Sequence, residues 1–195
     1  MMFHEAYALS RGYDHIAGID EVGRGPLAGP VVSAAVILNV DYVPIGVNDS
    51  KKLSEKNREA LFDVIMENCI SYGVGIVSEK IIDKINILNA VKLSMKIAVE
   101  AMKTPPDFLL VDAITLDNID IPQKSIIKGD SLSVSIAAAS IIAKVCRDRI
   151  MTAFDRYYPD YGFAKHKGYG TKSHFDAIKK NGLSPIHRVT FVHIC

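Results

Sequence analysis

Two apolar periods alternate along this chain. Residues 31–38 are a nearly continuous apolar run, and 15–22 carries Ile16, Ile19 and Val22 with two acids near its end; both carry β-branched residues and read as buried strands. The segment between them is short and turn-rich, which predicts an antiparallel pair. Residues 41–52, with Pro44 and Gly46, predict a loop. From 54 to 69 the period becomes helical: Leu61, Val64 and Ile65 share a face, Ser54 suits the N-cap and Glu55 the first turn. Residues 70–77 predict a third strand, weakened by Gly73 and Gly75. Ser78 is the expected cap of a short helix through Lys84. A longer helix over 87–102 presents Leu88, Val91, Met95, Ala98 and Val99 on one face, and Pro105-Pro106 ends it.

The second half repeats the alternation. Residues 108–111 form an apolar strand that ends on Asp112, and 117–122 is loop. A short strand over 125–128 precedes Gly129-Asp130-Ser131. Residues 136–145 are apolar nearly all round, as in a core helix, and 148–158 continue helical until Pro159. Residues 161–171 predict a bent loop that offers cations for phosphate and aromatics for stacking. A last helix over 172–181 is stopped by Gly182. Residues 184–195 are expected to be a tail with His187 and Arg188 open to a substrate. Strands alternating with helices, and a helical crossover into Asp112, predict an α/β domain with its site at strand ends.

Composition narrows the class. With 195 residues, 49% hydrophobic and 23% charged, the chain suits one globular domain, with an α/β core over about 15–155 and a basic segment over about 156–195. No apolar run reaches the ~18 residues of a membrane span. The first dozen residues carry polar groups where a signal peptide is apolar, and three scattered cysteines imply neither a disulfide framework nor a zinc site. A cytoplasmic, monomeric protein is the expectation. Net charge is +1, but residues 144–195 carry ten Lys/Arg against four Asp/Glu, so an acidic body adjoins a basic end. That division suits a metal-dependent enzyme acting on a polyanion.

The candidate chemistry lies in 18–30, Gly-Ile-Asp-Glu-Val-Gly-Arg-Gly-Pro-Leu-Ala-Gly-Pro. Asp20 and Glu21 offer hard oxygen ligands at the end of a buried strand. Gly23, Arg24 and Gly25 let the backbone approach a substrate. Asp112 ends a strand. Asp130 stands before the core helix, where it either caps that helix or completes a metal site. Carboxylates without His or Cys suit Mg²⁺ or Mn²⁺, and two such ions can drive phosphodiester hydrolysis. Adjacent strand residues point to opposite faces, so Asp20 and Glu21 share a site only if the strand ends or bulges there. Asn48 with Lys51 and Lys52 either grips a phosphate or is a polar loop.

These segments, with Asn-Asp-Ser-Lys-Lys-Leu, Leu-Leu-Val-Asp, Lys-Gly-Asp-Ser, Ala-Ala-Ala-Ser-Ile-Ile-Ala-Lys-Val and His-Lys-Gly-Tyr-Gly-Thr following in order, resemble the ribonuclease HII family from about residue 16 to 191. The resemblance implies an RNase H-like fold, a mixed five-stranded sheet flanked by helices with a helical C-terminal part. It implies an endonuclease that cuts the RNA strand of RNA–DNA hybrids and nicks DNA 5′ of an embedded ribonucleotide, leaving 3′-hydroxyl and 5′-phosphate ends. Asp20, Glu21, Asp112 and Asp130 then match the metal-binding acids, which favours the metal role for Asp130. Gly23, Arg24 and Gly25 match the loop that senses the 2′-hydroxyl. Tyr169 matches the tyrosine at the RNA–DNA junction, and Asn48, Lys51, Lys52 and Lys167 match regions near the substrate backbone. Ribonuclease HIII is disfavoured by the Gly-Arg-Gly triplet and by the short lead into the first strand. The chain runs only four residues past His-Arg-Val-Thr-Phe, so no sliding-clamp tail is expected. The rivals are another two-metal carboxylate nuclease of this fold and a non-catalytic hybrid-binding protein.

Overall fold

The first two strands are apolar on both sides because helices cover both faces of the sheet they build. The computed structural model describes residues 1–39, 42, 46–47, 53–117 and 119–192. In it β1 (Ile16–Val22), β2 (Val31–Leu38), β3 (Cys69–Val77), β4 (Phe108–Asp112) and β5 (Gln123–Ile126) form one sheet ordered β3-β2-β1-β4-β5. The β1–β2 and β2–β3 pairs are antiparallel, and the β1–β4 and β4–β5 pairs are parallel. This is the mixed five-stranded sheet the resemblance implies.

The pleat divides the core in two. Ala17, Ile19, Ala35 and Ile37 pack towards α4 (Ile87–Glu100), which follows α3 (Glu79–Ile85) in the crossover from β3 to β4. Ala34 and Val36 pack towards α2 (Glu55–Asn68) and the long α6 (Val134–Tyr157). Gly73 and Gly75 do not weaken β3, as the sequence suggested; they seat α4. A Cβ on Gly73 would overlap the Ala98 carbonyl oxygen, and one on Gly75 that of Ser94. Gly18 does the same for α6, where a Cβ would strike the Ser135 backbone.

Several boundaries differ from expectation for tertiary reasons. An unforeseen α1 (Phe3–Ser10) is anchored by its buried Glu5, which accepts from Ser133 Oγ at 2.6 Å and from the Ser135 amide at 3.0 Å. β5 lies earlier than predicted, because its ladder starts where Gln123 closes the preceding loop onto the Leu116 N–H and carbonyl. Ser78 holds the N-cap position of α3 without its side chain bonding a backbone amide, whereas Ser54 caps α2 as expected. Ser133, not Asp130, caps α6; Asp130 lies inside the one-turn α5 (Gly129–Leu132).

The C-terminal part is more ordered than its composition suggested. The expected loop contains α7 (Phe163–His166), whose Phe163 is buried, and α8 (Lys172–Asn181) follows. The predicted tail turns inward. Its His187 and Arg188 are buried, and Asp83 of α3 accepts the amides of Val189 and Thr190. Among the described residues, no helix is long and apolar enough to cross a membrane.

Candidate active site

Parallel pairing brings the acids together. The β1–β4 ladder ends at Ile19↔Val111, so Asp20 and Glu21 extend beyond it just where Asp112 closes β4. β1 ends at Val22, one residue beyond Glu21, with no bulge against β2. The register with β2 stays regular through Val22↔Val32, and the Asp112 charge acts on both from the neighbouring strand tip. Asp112 Oδ1 also accepts the Gly129 amide at 2.7 Å, which sets the buried Asp130 one residue away.

Electrostatics mark this edge of the sheet. Burial holds the Asp20 carboxyl well above the ordinary range, and the neighbouring charges of Glu21 and Asp112 raise it further. A hydrogen bond from Ser140 of α6 and the Glu21 amide at 2.7 Å partly offset this. Glu21 is raised by burial too, against the pull of Arg24, whose Nη1 stands 3.2 Å from Glu21 Oε1. Glu21 Oε2 is buried with no hydrogen-bond partner among the described residues. Among the described residues no group of three or more His, Cys, Asp or Glu side chains takes up an ion-holding geometry.

The Gly-Arg-Gly loop is built from beneath by two buried arginines. Arg188 donates from Nη2 to the Gly23 carbonyl at 2.6 Å and from Nη1 to the Arg24 carbonyl at 3.0 Å, and its Nε reaches Gly29 O at 2.9 Å. Arg147 of α6 donates from Nε to Pro30 O at 2.9 Å, from Nη2 to Ala28 O at 3.1 Å and from Nη1 to Lys167 O at 2.9 Å. Burial lowers Arg147 to about 10 and Arg188 to about 9, the latter also through the Arg147 charge, so both stay cationic at neutral pH. In a trans peptide the C=O and the following N–H point opposite ways. With the Gly23 and Arg24 carbonyls turned inward, the amides of Arg24 and Gly25 face outward. Gly23 has φ +101°, and a Cβ there would strike the Arg147 side chain. Gly25 has open space where a Cβ would stand.

Tyr169 is half-exposed, and its ring lies 5.8 Å from the Arg147 guanidinium carbon, so Arg147 touches both the loop and this ring. The Lys167 ammonium is turned back onto the protein, donating to Ala164 O at 2.7 Å and to Thr152 Oγ1 at 3.0 Å, while its carbonyl serves Arg147. Asn48, Lys51 and Lys52 lie outside the described residues. Sequence reasoning missed Ser140, Arg147 and the inward role of Arg188. With Lys144, Asp148 and Arg149 beside it in the sequence, Arg147 carried no signal of its own; a buried guanidinium needs several acceptors, and backbone carbonyls supply them here.

Known proteins share the sequence and the fold of this chain. Residues 17–194 match the family model described as Ribonuclease HII. The ribonuclease HII of Acetivibrio thermocellus is 63% identical over 191 residues, covering 98% of this chain and 75% of that protein. Among solved structures, the ribonuclease H2 of Pyrococcus horikoshii superposes with a TM-score of 0.76 at 28% identity, covering 91% of this chain and 93% of that one. The RNase HII of Archaeoglobus fulgidus, solved in a complex with PCNA, gives 0.78 at 28% identity over 93% of this chain and 97% of that one.

Proposed function

The chain belongs to the ribonuclease HII family, and from that premise we infer a metal-dependent endonuclease that hydrolyses the RNA strand of RNA–DNA hybrids and nicks duplex DNA on the 5′ side of an embedded ribonucleotide. It leaves 3′-hydroxyl and 5′-phosphate ends, works in the cytoplasm as a monomer and serves to remove ribonucleotides from DNA. The observation that carries this reading is that Asp20, Glu21 and Asp112 lie within electrostatic reach of one another at one sheet edge, with Glu21 Oε2 buried and without a hydrogen-bond partner among the described residues.

The donor set fits a hard divalent cation. Asp20, Glu21, Asp112 and Asp130 offer carboxylate oxygens only, which suits Mg²⁺ or Mn²⁺, and a cation would offset the burial and the repulsion that raise Asp20. When bound, a pair of such ions supplies activation of water and stabilisation of the leaving oxygen. The protein's own groups do the rest. Ser140 and the Glu21 amide orient Asp20, and the Gly129 amide orients Asp112. The outward amides of Arg24 and Gly25 meet the substrate backbone, where only a 2′-hydroxyl tells RNA from DNA at one nucleotide. Arg24 bridges loop and acids through Glu21. Tyr169 packs on the sugar that follows the ribonucleotide and disfavours a second ribose there. Asn48, Lys51 and Lys52, which match a family region near the substrate backbone, are read as substrate contacts, while the Lys167 ammonium supports the Tyr169 loop from within.

The deciding assay uses a DNA duplex with one ribonucleotide, an RNA–DNA hybrid and an all-DNA junction, each with Mg²⁺ or Mn²⁺ and the cut bond mapped. Cutting 5′ of the ribonucleotide and within the hybrid's RNA strand, with the junction left whole, is the expected result. Junction cleavage would favour the rival nuclease, and hybrid binding without cleavage the binding protein.

A further inference from the structure

Three histidines from separate segments lie beneath the Tyr169 loop: His166 ending α7, His174 in the first turn of α8, and His187 in the inward-turned tail. Their shortest hydrogen bonds favour one tautomer each. His174 Nδ1 is 2.9 Å from the Tyr169 carbonyl oxygen. That oxygen only accepts, so Nδ1 carries the proton. His174 Nε2, 3.0 Å from His187 Nε2, is then the acceptor and His187 donates. His187 Nδ1 is left as a lone pair, faced by the Ser184 amide and hydroxyl at 2.8 Å each, both closer than the Ser184 carbonyl oxygen at 3.3 Å. His166 follows the same logic, its Nε2 donating to Tyr161 O at 2.7 Å and its Nδ1 accepting the Gly168 amide at 3.2 Å. Its ring stacks on His174 with centroids 4.3 Å apart and planes 18° apart.

This network favours neutral rings. A second proton on His174 would face the His187 N–H, one on His187 the Ser184 amide, and one on His166 the Gly168 amide. The titratable and charged groups set around the cluster are Tyr161 from the turn before α7, Arg147 from α6, Arg188 from the tail and Tyr169 itself. Charge on His166 opposes charge on both His174 and His187, and charge on His187 opposes it on His174. Burial lowers His174 to about 4 and also lowers His187.

The network also joins the two loops that meet the substrate. At one end it holds the Tyr169 carbonyl and the Gly168 amide. At the other, His187 is bridged to Ala28, and the next residue, Arg188, binds the carbonyls of Gly23 and Arg24. We propose that the His187–His174 pair positions Tyr169 against the Gly-Arg-Gly loop and thereby sets the preference for a single embedded ribonucleotide over a continuous hybrid. The proposal rests on the junction role given to Tyr169 above.

The test compares kcat/KM for a one-ribonucleotide duplex with that for an RNA–DNA hybrid, and takes their ratio. His174→Phe keeps a ring and removes both nitrogens. It is expected to lower the ratio about tenfold, the value of roughly one hydrogen bond. His174→Asn, which returns an N–H near the Nδ1 position, should restore most of it. Long-range ¹H–¹⁵N spectra of the unsubstituted protein should show His174 protonated on Nδ1 and His187 on Nε2 at neutral pH. The opposite tautomers would overturn the proposal without any substitution, including where His174→Phe does not fold. Tyr169→Ala is run alongside. If it lowers the ratio and His174→Phe does not, the histidine pair has no positioning role while the Tyr169 reading stands. If Tyr169→Ala leaves the ratio unchanged, the junction reading fails and the proposal with it.

Discussion

Arg188 Nη2 lies 2.6 Å from the carbonyl oxygen of Gly23, a residue 165 positions earlier in the chain. One buried guanidinium thus fixes which way the peptides of the substrate loop face. Arg147 repeats the device from α6, so the loop is held by cations paired to carbonyls rather than to carboxylates. A flexible glycine sequence becomes a set surface with its amides outward.

Arg188→Ala should therefore lose both stability and discrimination. Several charge-assisted hydrogen bonds disappear and buried carbonyls are left unsatisfied, a cost of about 3 kcal/mol or more. Urea titration should show the lower midpoint. Arg188→Lys should recover little, since an ammonium cannot span three carbonyls in the planar fork geometry.

Asp20→Asn should abolish turnover and stabilise the fold together. The buried, repelled carboxyl becomes neutral, which is expected to raise stability by about 1 kcal/mol, while hybrid binding persists. Thermal unfolding and cleavage assays with Mg²⁺ or Mn²⁺ check the two halves. Metal-dependent cutting by this variant would remove Asp20 from the chemistry.

Tyr169→Ala should reduce nicking at a single ribonucleotide roughly tenfold more than it reduces hybrid cleavage, the order of one lost ring contact. Parallel kcat/KM measurements on the two substrates decide this. Equal loss on both would end the junction role.

Gly18→Ala places a methyl group against the Ser135 backbone, where no side chain can move aside. The sheet and α6 must separate, so a loss of about 3 kcal/mol or more is expected. Circular dichroism melting of Gly18→Ala against Gly25→Ala, which has open space at that position, isolates the packing effect.

Stability should also fall with acid in a defined window. His174 is held down to about 4, below its ordinary 6.5, so between these values the unfolded chain binds a proton that the native state refuses. This contribution is complete above about pH 6.5, declines towards pH 4 and is spent below it. Denaturation midpoints across that range should show the decline, and His174→Phe should flatten it.

The amino-acid sequence by itself determined the strands and helices whose period is strong, from β1 and β2 to α4 and α6, and it singled out Asp20, Glu21 and Asp112, because acids at the ends of apolar runs are visible in one dimension. It left Asp130 between a cap and a ligand. Only the tertiary structure showed that Ser133 is the cap, that Gly73 and Gly75 seat a helix, and that His187 and Arg188 face inward rather than to solvent. The physical reason is range. Periodicity, capping and turn preference act over a few residues, whereas a guanidinium's carbonyl partners and a histidine's tautomer are set by segments that meet only when the sheet and its helices close.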